Sequence, residues 1–109
     1  MSNNPAIPAR TLSLRKQVSQ EATVVRCIGR LTIETTTVLK TEVQPLLGNK
    51  QRVILDLTDL AYMDSAGLGV VVGLYISAKR AGCELQMVNV SPRIQEVLGM
   101  TKIGSLFGA

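Results

Sequence analysis

Histidine and tryptophan are absent from this 109-residue chain, and only Tyr62, Tyr75 and Phe107 carry aromatic rings. Without histidine, a serine nucleophile lacks its usual general base, and hydrolytic catalysis is not expected. Three rings are too few for an aromatic platform that stacks single-stranded nucleic acid. The net charge of +4, from 12 Lys+Arg against 8 Asp+Glu, is spread along the chain. Direct nucleic-acid binding is therefore not expected. Cysteine is scarce too: Cys27 and Cys83 lie far apart in sequence and read as core thiols rather than a disulfide or metal pair. No apolar run approaches the ~20 residues of a membrane-spanning helix, and the N-terminal residues lack a signal-peptide core. A cytoplasmic protein without membrane insertion is the expectation.

What is present begins with the segment Tyr62-Met63-Asp64-Ser65-Ala66-Gly67-Leu68-Gly69. Ahead of it, Arg52-Val53-Ile54-Leu55-Asp56-Leu57 is a short, β-branched-rich run suited to a strand buried on both faces, with Thr58 and Asp59 opening a polar break. Behind it, Ala66 to Ala81 is apolar at nearly every angular position. That predicts a packed helix, with Gly67, Gly69 and Gly73 allowing close approach of backbone. On this reading a side chain at Gly73 would overpack the core. Asp64 or Ser65 supplies the N-cap, Lys79 and Arg80 complement the dipole at the far end, and Gly82 is the stop. Glu84 to Val90 reads as the next strand, which completes a strand-helix-strand unit with a right-handed crossover. Ser91-Pro92 then caps a helix of about two turns that ends near Gly99.

Upstream, Leu12, Leu14, Lys16 and Val18 alternate with polar residues, and Val24 to Ile28 follows a Gln-Glu turn, so an antiparallel pair is expected, its second strand closed by Gly29. Between Ile33 and Leu47 the apolar residues have helical spacing behind a threonine-rich start suited to capping. Pro45 should kink or end that helix about a turn early. The chain thus predicts one α/β domain, β-β-α-β-α-β-α, with a mixed, mostly parallel sheet of about four strands. Residues 1–10 read as a disordered lead-in and 11–109 as the domain.

The chemistry is narrowed by spacing. Asp56, Asp59 and Asp64 gather around one loop, but polar residues at a strand end are more often turn and cap formers than cation ligands, so no metal is expected. The glycines superficially resemble a dinucleotide fingerprint. Several residues separate them from the strand, however, and Asn89 stands where a ribose-binding acid would be, so no cofactor is expected either. Ser65, exposed at a helix start, can be a cap, a nucleophile, a ligand or a phosphorylation target.

The order of elements, with Val53-Ile54-Leu55-Asp56-Leu57, Met63-Asp64-Ser65-Ala66-Gly67-Leu68-Gly69 and Ala81-Gly82-Cys83-Glu84-Leu85, resembles the STAS domain of bacterial anti-sigma-factor antagonists over roughly residues 10 to 107. The resemblance implies a non-enzymatic protein that binds an anti-sigma factor, itself a serine kinase, and is switched off by phosphorylation on Ser65. A serine phosphatase would reset it. The implied partner-binding residues are Arg30, Thr32, Met63, Asp64, Ser65, Gly67 and Leu68. The chain departs from the family pattern at Thr32, where aspartate is common, and at Ala66, where many members have a second serine. Ser65 is therefore the only hydroxyl of the motif. Two other readings stay open: a structural STAS subunit of a lipid-transport or signalling complex, and a small-molecule or nucleotide-binding module using the helix N-terminus as an anion site.

Overall fold

The computed structural model describes residues 11–49 and 52–99. The expected lead-in over 1–10 and the residues beyond Gly99 lie outside the described residues. Two strands, β1 (Leu12–Val18) and β2 (Ala22–Leu31), form an antiparallel hairpin, and α1 (Thr36–Val43) follows. Next come a 3-10 segment (Gln44–Asn49), β3 (Arg52–Met63), α2 (Ser65–Ala81), β4 (Leu85–Val88) and α3 (Pro92–Gly99). The sheet order is β1-β2-β3-β4, with β3 parallel to both β2 and β4. This is the mixed, mostly parallel sheet that the sequence predicts.

Alternation along the strands separates two faces. Val25, Cys27, Val53, Leu55, Leu57, Leu85 and Met87 are buried against Leu39 and Val43 of α1, Val71, Leu74 and Ala78 of α2, and Ile94 and Leu98 of α3. On the other face Arg26 is exposed, and Ile28, Ile54 and Asp56 are only half-buried. Neither cysteine is in a disulfide and both are buried, and burial pushes Cys27 up to about 12, so it stays protonated at neutral pH.

Several boundaries move for physical reasons. Pro45 cannot donate to a helical bond, and α1 gives way at Val43 to the tighter 3-10 segment. Gly29 does not close β2, which continues to Leu31. The polar pair Thr58-Asp59 does not end β3 either. Register shifts between Arg26 and Ile28 and between Gly29 and Arg30 admit extra residues on β3, and pairing resumes through Leu31 opposite Met63. The bulges turn Leu60 and Met63 back into the core.

The largest correction concerns α2. It is amphipathic rather than packed all round: Gly67, Leu68, Val71, Leu74 and Ala78 are buried at helical spacing, while Ser65, Gly69, Gly73, Ile76, Lys79 and Arg80 face solvent. A Cβ at Gly69 or Gly73 would meet nothing within 4 Å. These glycines instead leave a shallow groove between α2 and α1, flanked by Lys40 and Gln44. Glycine in an exposed helix interior costs about 0.5–1 kcal/mol relative to alanine. Gly73→Ala is accordingly expected to raise stability by about that amount, opposite in sign to overpacking, as thermal or urea denaturation would register.

Candidate functional site

The N-terminus of α2 is fixed by one carboxylate. Asp64 has extended backbone angles, its Oδ1 accepts from the Gly67 amide at 2.9 Å, and its carbonyl accepts from Leu68 at 3.0 Å. Asp64 is therefore the N-cap, and Ser65 is the first helical residue. The Ser65 side chain is exposed, and the capping it was a candidate for is supplied by its neighbour.

Asp64 also reaches across to a second element. Its Oδ2 accepts from the Ile33 amide at 3.2 Å, and its own amide donates to the Leu31 carbonyl at 3.2 Å. One side chain thus ties the start of α2 to the turn between β2 and α1. Gly67 makes this approach possible: a Cβ there would lie 2.4 Å from the Leu31 carbonyl oxygen and 2.9 Å from Leu31 Cγ.

The turn itself is built from threonines. Thr35 Oγ1 donates to the Arg30 carbonyl at 2.8 Å and accepts from the Thr32 amide at 2.9 Å, while Thr32 Oγ1 accepts from Glu34 at 3.2 Å. Thr35 stands at the N-cap position of α1, yet its hydroxyl faces back into the turn and makes no capping bond to the helix. The threonine-rich start therefore shapes the turn rather than capping α1. Thr32 and Thr35 are buried, and Ile33 projects from between them with 72% of its surface exposed.

The seven residues expected at a partner surface separate in the structure. Asp64 and Ser65 stand at the helix start beside Ile33. Met63 and Leu68 are core residues, 2% and 7% exposed, and Gly67 is buried against Leu31. Met63 faces inward because β3 is still paired with β2 there, and Leu68 because it begins the buried stripe of α2. Thr32 is buried in the turn. Arg30 pairs with Tyr62 one residue back from the inward pair Leu31 and Met63, so it points to the opposite face, its guanidinium 4.4 Å from the Tyr62 ring centroid. Sequence reasoning missed Ile33, although a large aliphatic residue among four threonines and a glutamate was the available signal.

The three aspartates are engaged separately. Asp56 accepts from the Thr58 hydroxyl at 2.6 Å and from Asn89 at 3.0 Å, and these bonds, the Thr58 one foremost, hold its carboxyl below the ordinary value. Asp59 pairs with Arg26 at 2.6 Å, and Asp64 caps α2. The described residues contain no group of three ligating side chains able to hold a metal ion. They also contain no helix long and apolar enough to cross a membrane.

Removing the double tie should be costly. Asp64→Ala would lose the cap and leave the Ile33 amide without its acceptor, and stability should fall by about 1–2 kcal/mol. Asp64→Asn, whose single amide oxygen can still accept from the Gly67 amide but not from the Ile33 amide as well, should fall less. Chemical denaturation of the two variants would show the ranking.

Residues 13–108 match the model of the STAS domain. The chain is 30% identical over 80 residues to the anti-sigma F factor antagonist of Paenibacillus polymyxa, covering 72% of this chain and 68% of the relative. It is 32% identical over 77 residues to the anti-sigma-B factor antagonist of Bacillus subtilis (strain 168), covering 71% of each. Among solved structures, the Bacillus anti-sigma factor antagonist SpoIIAA in its unphosphorylated form superposes with a TM-score of 0.72 at 21% identity, over 87% of this chain and 84% of that one. SpoIIAA has also been solved phosphorylated, with a TM-score of 0.67 at 22% identity, over 87% and 86%. By sequence and by fold, the chain belongs to the STAS domain family, and its named relatives are anti-sigma factor antagonists.

Proposed function

We infer that this chain is an anti-sigma factor antagonist: unmodified, it binds an anti-sigma factor with serine kinase activity in the cytoplasm, and phosphorylation of Ser65 releases that partner. It acts by binding and not by catalysis. A serine phosphatase would return it to the binding form. The observation that carries the reading is the position of Ser65, exposed as the first residue of α2 while Asp64 performs the capping. The hydroxyl is thus available without cost to the fold. Its relatives' names and the two phosphorylation states of SpoIIAA support the same assignment.

Phosphate on Ser65 adds about 1.5 to 2 negative charges beside the Asp64 carboxylate. The helix N-terminus tolerates that charge within the domain, because amide N–H groups and the dipole face it. A docked partner does not share this tolerance. A dianion pressed into an interface must lose its water, and like-charge contact or unpaired desolvation there costs several kcal/mol. The switch therefore acts on the complex and leaves the fold in place. Incubating the protein with the anti-sigma kinases of its own organism and ATP, then mapping phosphate by mass spectrometry, tests the assignment. Stoichiometric phosphate on Ser65, lost in Ser65→Ala, is the expected result; modification elsewhere with Ser65 untouched would contradict it.

A further inference from the structure

Ile33 is the most exposed large hydrophobic residue among those described, at 72%, ahead of Val18 at 70% and Ile76 at 48%. Isolated apolar side chains on a surface are ordinary and by themselves carry no meaning. The backbone beneath Ile33 is what distinguishes it. Its amide is held by Asp64 Oδ2, the residue before it is locked to Thr35, and the residue after it is held by the Thr32 hydroxyl. The turn is bonded at every step, so the side chain cannot fold back onto the core without breaking the ties that also position Ser65. An aliphatic group offered to solvent from a bonded backbone beside a site of modification is partly preorganised for burial in a partner, because little backbone ordering remains to be lost on docking.

We propose that Ile33 is the apolar anchor of the surface that carries Ser65, and that it inserts into an apolar socket of the anti-sigma kinase next to the kinase's phosphate-transfer site. The proposal rests on the functional reading of Ser65 given above. Asp64 is the shared support: through one carboxylate it holds the Ile33 turn against the start of α2, so the anchor and Ser65 belong to one docking surface. Ile33 touches no reacting atom and acts by binding alone. Val18 supplies an internal control. It is equally exposed but lies at the β1–β2 hairpin end, where it pairs with Thr23. Leu31 lies eight residue steps beyond Thr23 along β2, roughly 25 Å along the strand.

The test titrates full-length protein against the kinase that modifies Ser65 in the preceding assay, with ADP in place of ATP so that no phosphate moves. Ile33→Ser should raise Kd at least tenfold with Tm unchanged, Ile33→Leu should stay near wild type, and Val18→Ser should match wild type. With ATP and saturating kinase, Ile33→Ser should be phosphorylated at the wild-type rate, since only binding is affected. The proposal is overturned if Ile33→Ser binds as tightly as wild type, or if Val18→Ser loses as much. It is also overturned if the loss appears in the saturated rate, or if the wild-type protein is a dimer that Ile33→Ser dissolves. If no kinase modifies Ser65, the functional reading itself fails and takes the anchor with it. If Ser65 is modified and Ile33→Ser binds normally, only the anchor fails.

Discussion

Ser65→Asp is expected to weaken binding to the anti-sigma kinase by on the order of a hundredfold, while the folded domain loses almost nothing. Both halves follow from the position of the residue. Aspartate places one negative charge at the first position of α2, where the helix dipole favours it, and Asp64 still caps the Gly67 amide. Stability should therefore stay within about 0.5 kcal/mol of wild type. At the interface the same charge sits beside the Asp64 carboxylate with water removed, and a hundredfold loss corresponds to about 2.7 kcal/mol. Ser65→Ala should leave both properties close to wild type, because the hydroxyl is not the cap. Calorimetric titration against the kinase, paired with thermal melts, would measure the two effects together. Unfolding by Ser65→Asp would refute a surface switch on an unmoved fold.

The second large effect belongs to Gly67. Gly67→Ala adds a Cβ 2.4 Å from the Leu31 carbonyl oxygen and 3.1 Å from its carbon, and backbone atoms cannot swing aside as a flexible side chain can. The start of α2 must move away from β2, against the Asp64 bonds that hold it there. The expected loss is about 3 kcal/mol, at the upper end of overpacking costs. For a domain of this size that is a fall in Tm of more than about 10 °C. Gly69→Ala, two residues along the same helix, meets open space and should be neutral or stabilising. A pair of melting curves decides the matter: similar values for the two variants would mean that the Leu31 contact is not what sets the position of α2.

These two glycines show where the sequence was legible and where it was not. Hydrophobic period and end signals located the helices and the sheet type, because Gly82, Pro45 and Ser91-Pro92 act on their own local backbone. Gly82 takes a left-handed conformation at the end of α2, and the Ser91 hydroxyl accepts from Ile94 at the start of α3. Burial around α2 was not local. Glycine counts as apolar in a periodicity reading, yet Gly67 faces Leu31 and Gly73 faces solvent, and only the neighbouring strand distinguishes them.

The same holds for the site. Asp-Ser ahead of an apolar helix announced the cap and the exposed hydroxyl. Which of the two residues capped depended on the backbone angles of Asp64 and on the second bond to Ile33. Met63 and Leu68 look like surface residues beside an exposed serine, but the bulges that carry β3 to Met63 turn that side chain inward. Bulges depend on the partner strand and leave little trace in a single segment. Ile33 was hidden for the opposite reason: it resembles the first apolar residue of the following helix, and only the threonine turn lifts it out.

On the proposed function, phosphate on Ser65 decides whether the anti-sigma kinase is bound. The direct measurement is the Kd of that kinase, with ADP, for the unmodified protein and for the protein stoichiometrically phosphorylated on Ser65. The unmodified form should bind tightly, and phosphorylation should lower the affinity by on the order of a hundredfold or more with the melting temperature little changed. Equal affinity of the two forms would contradict it.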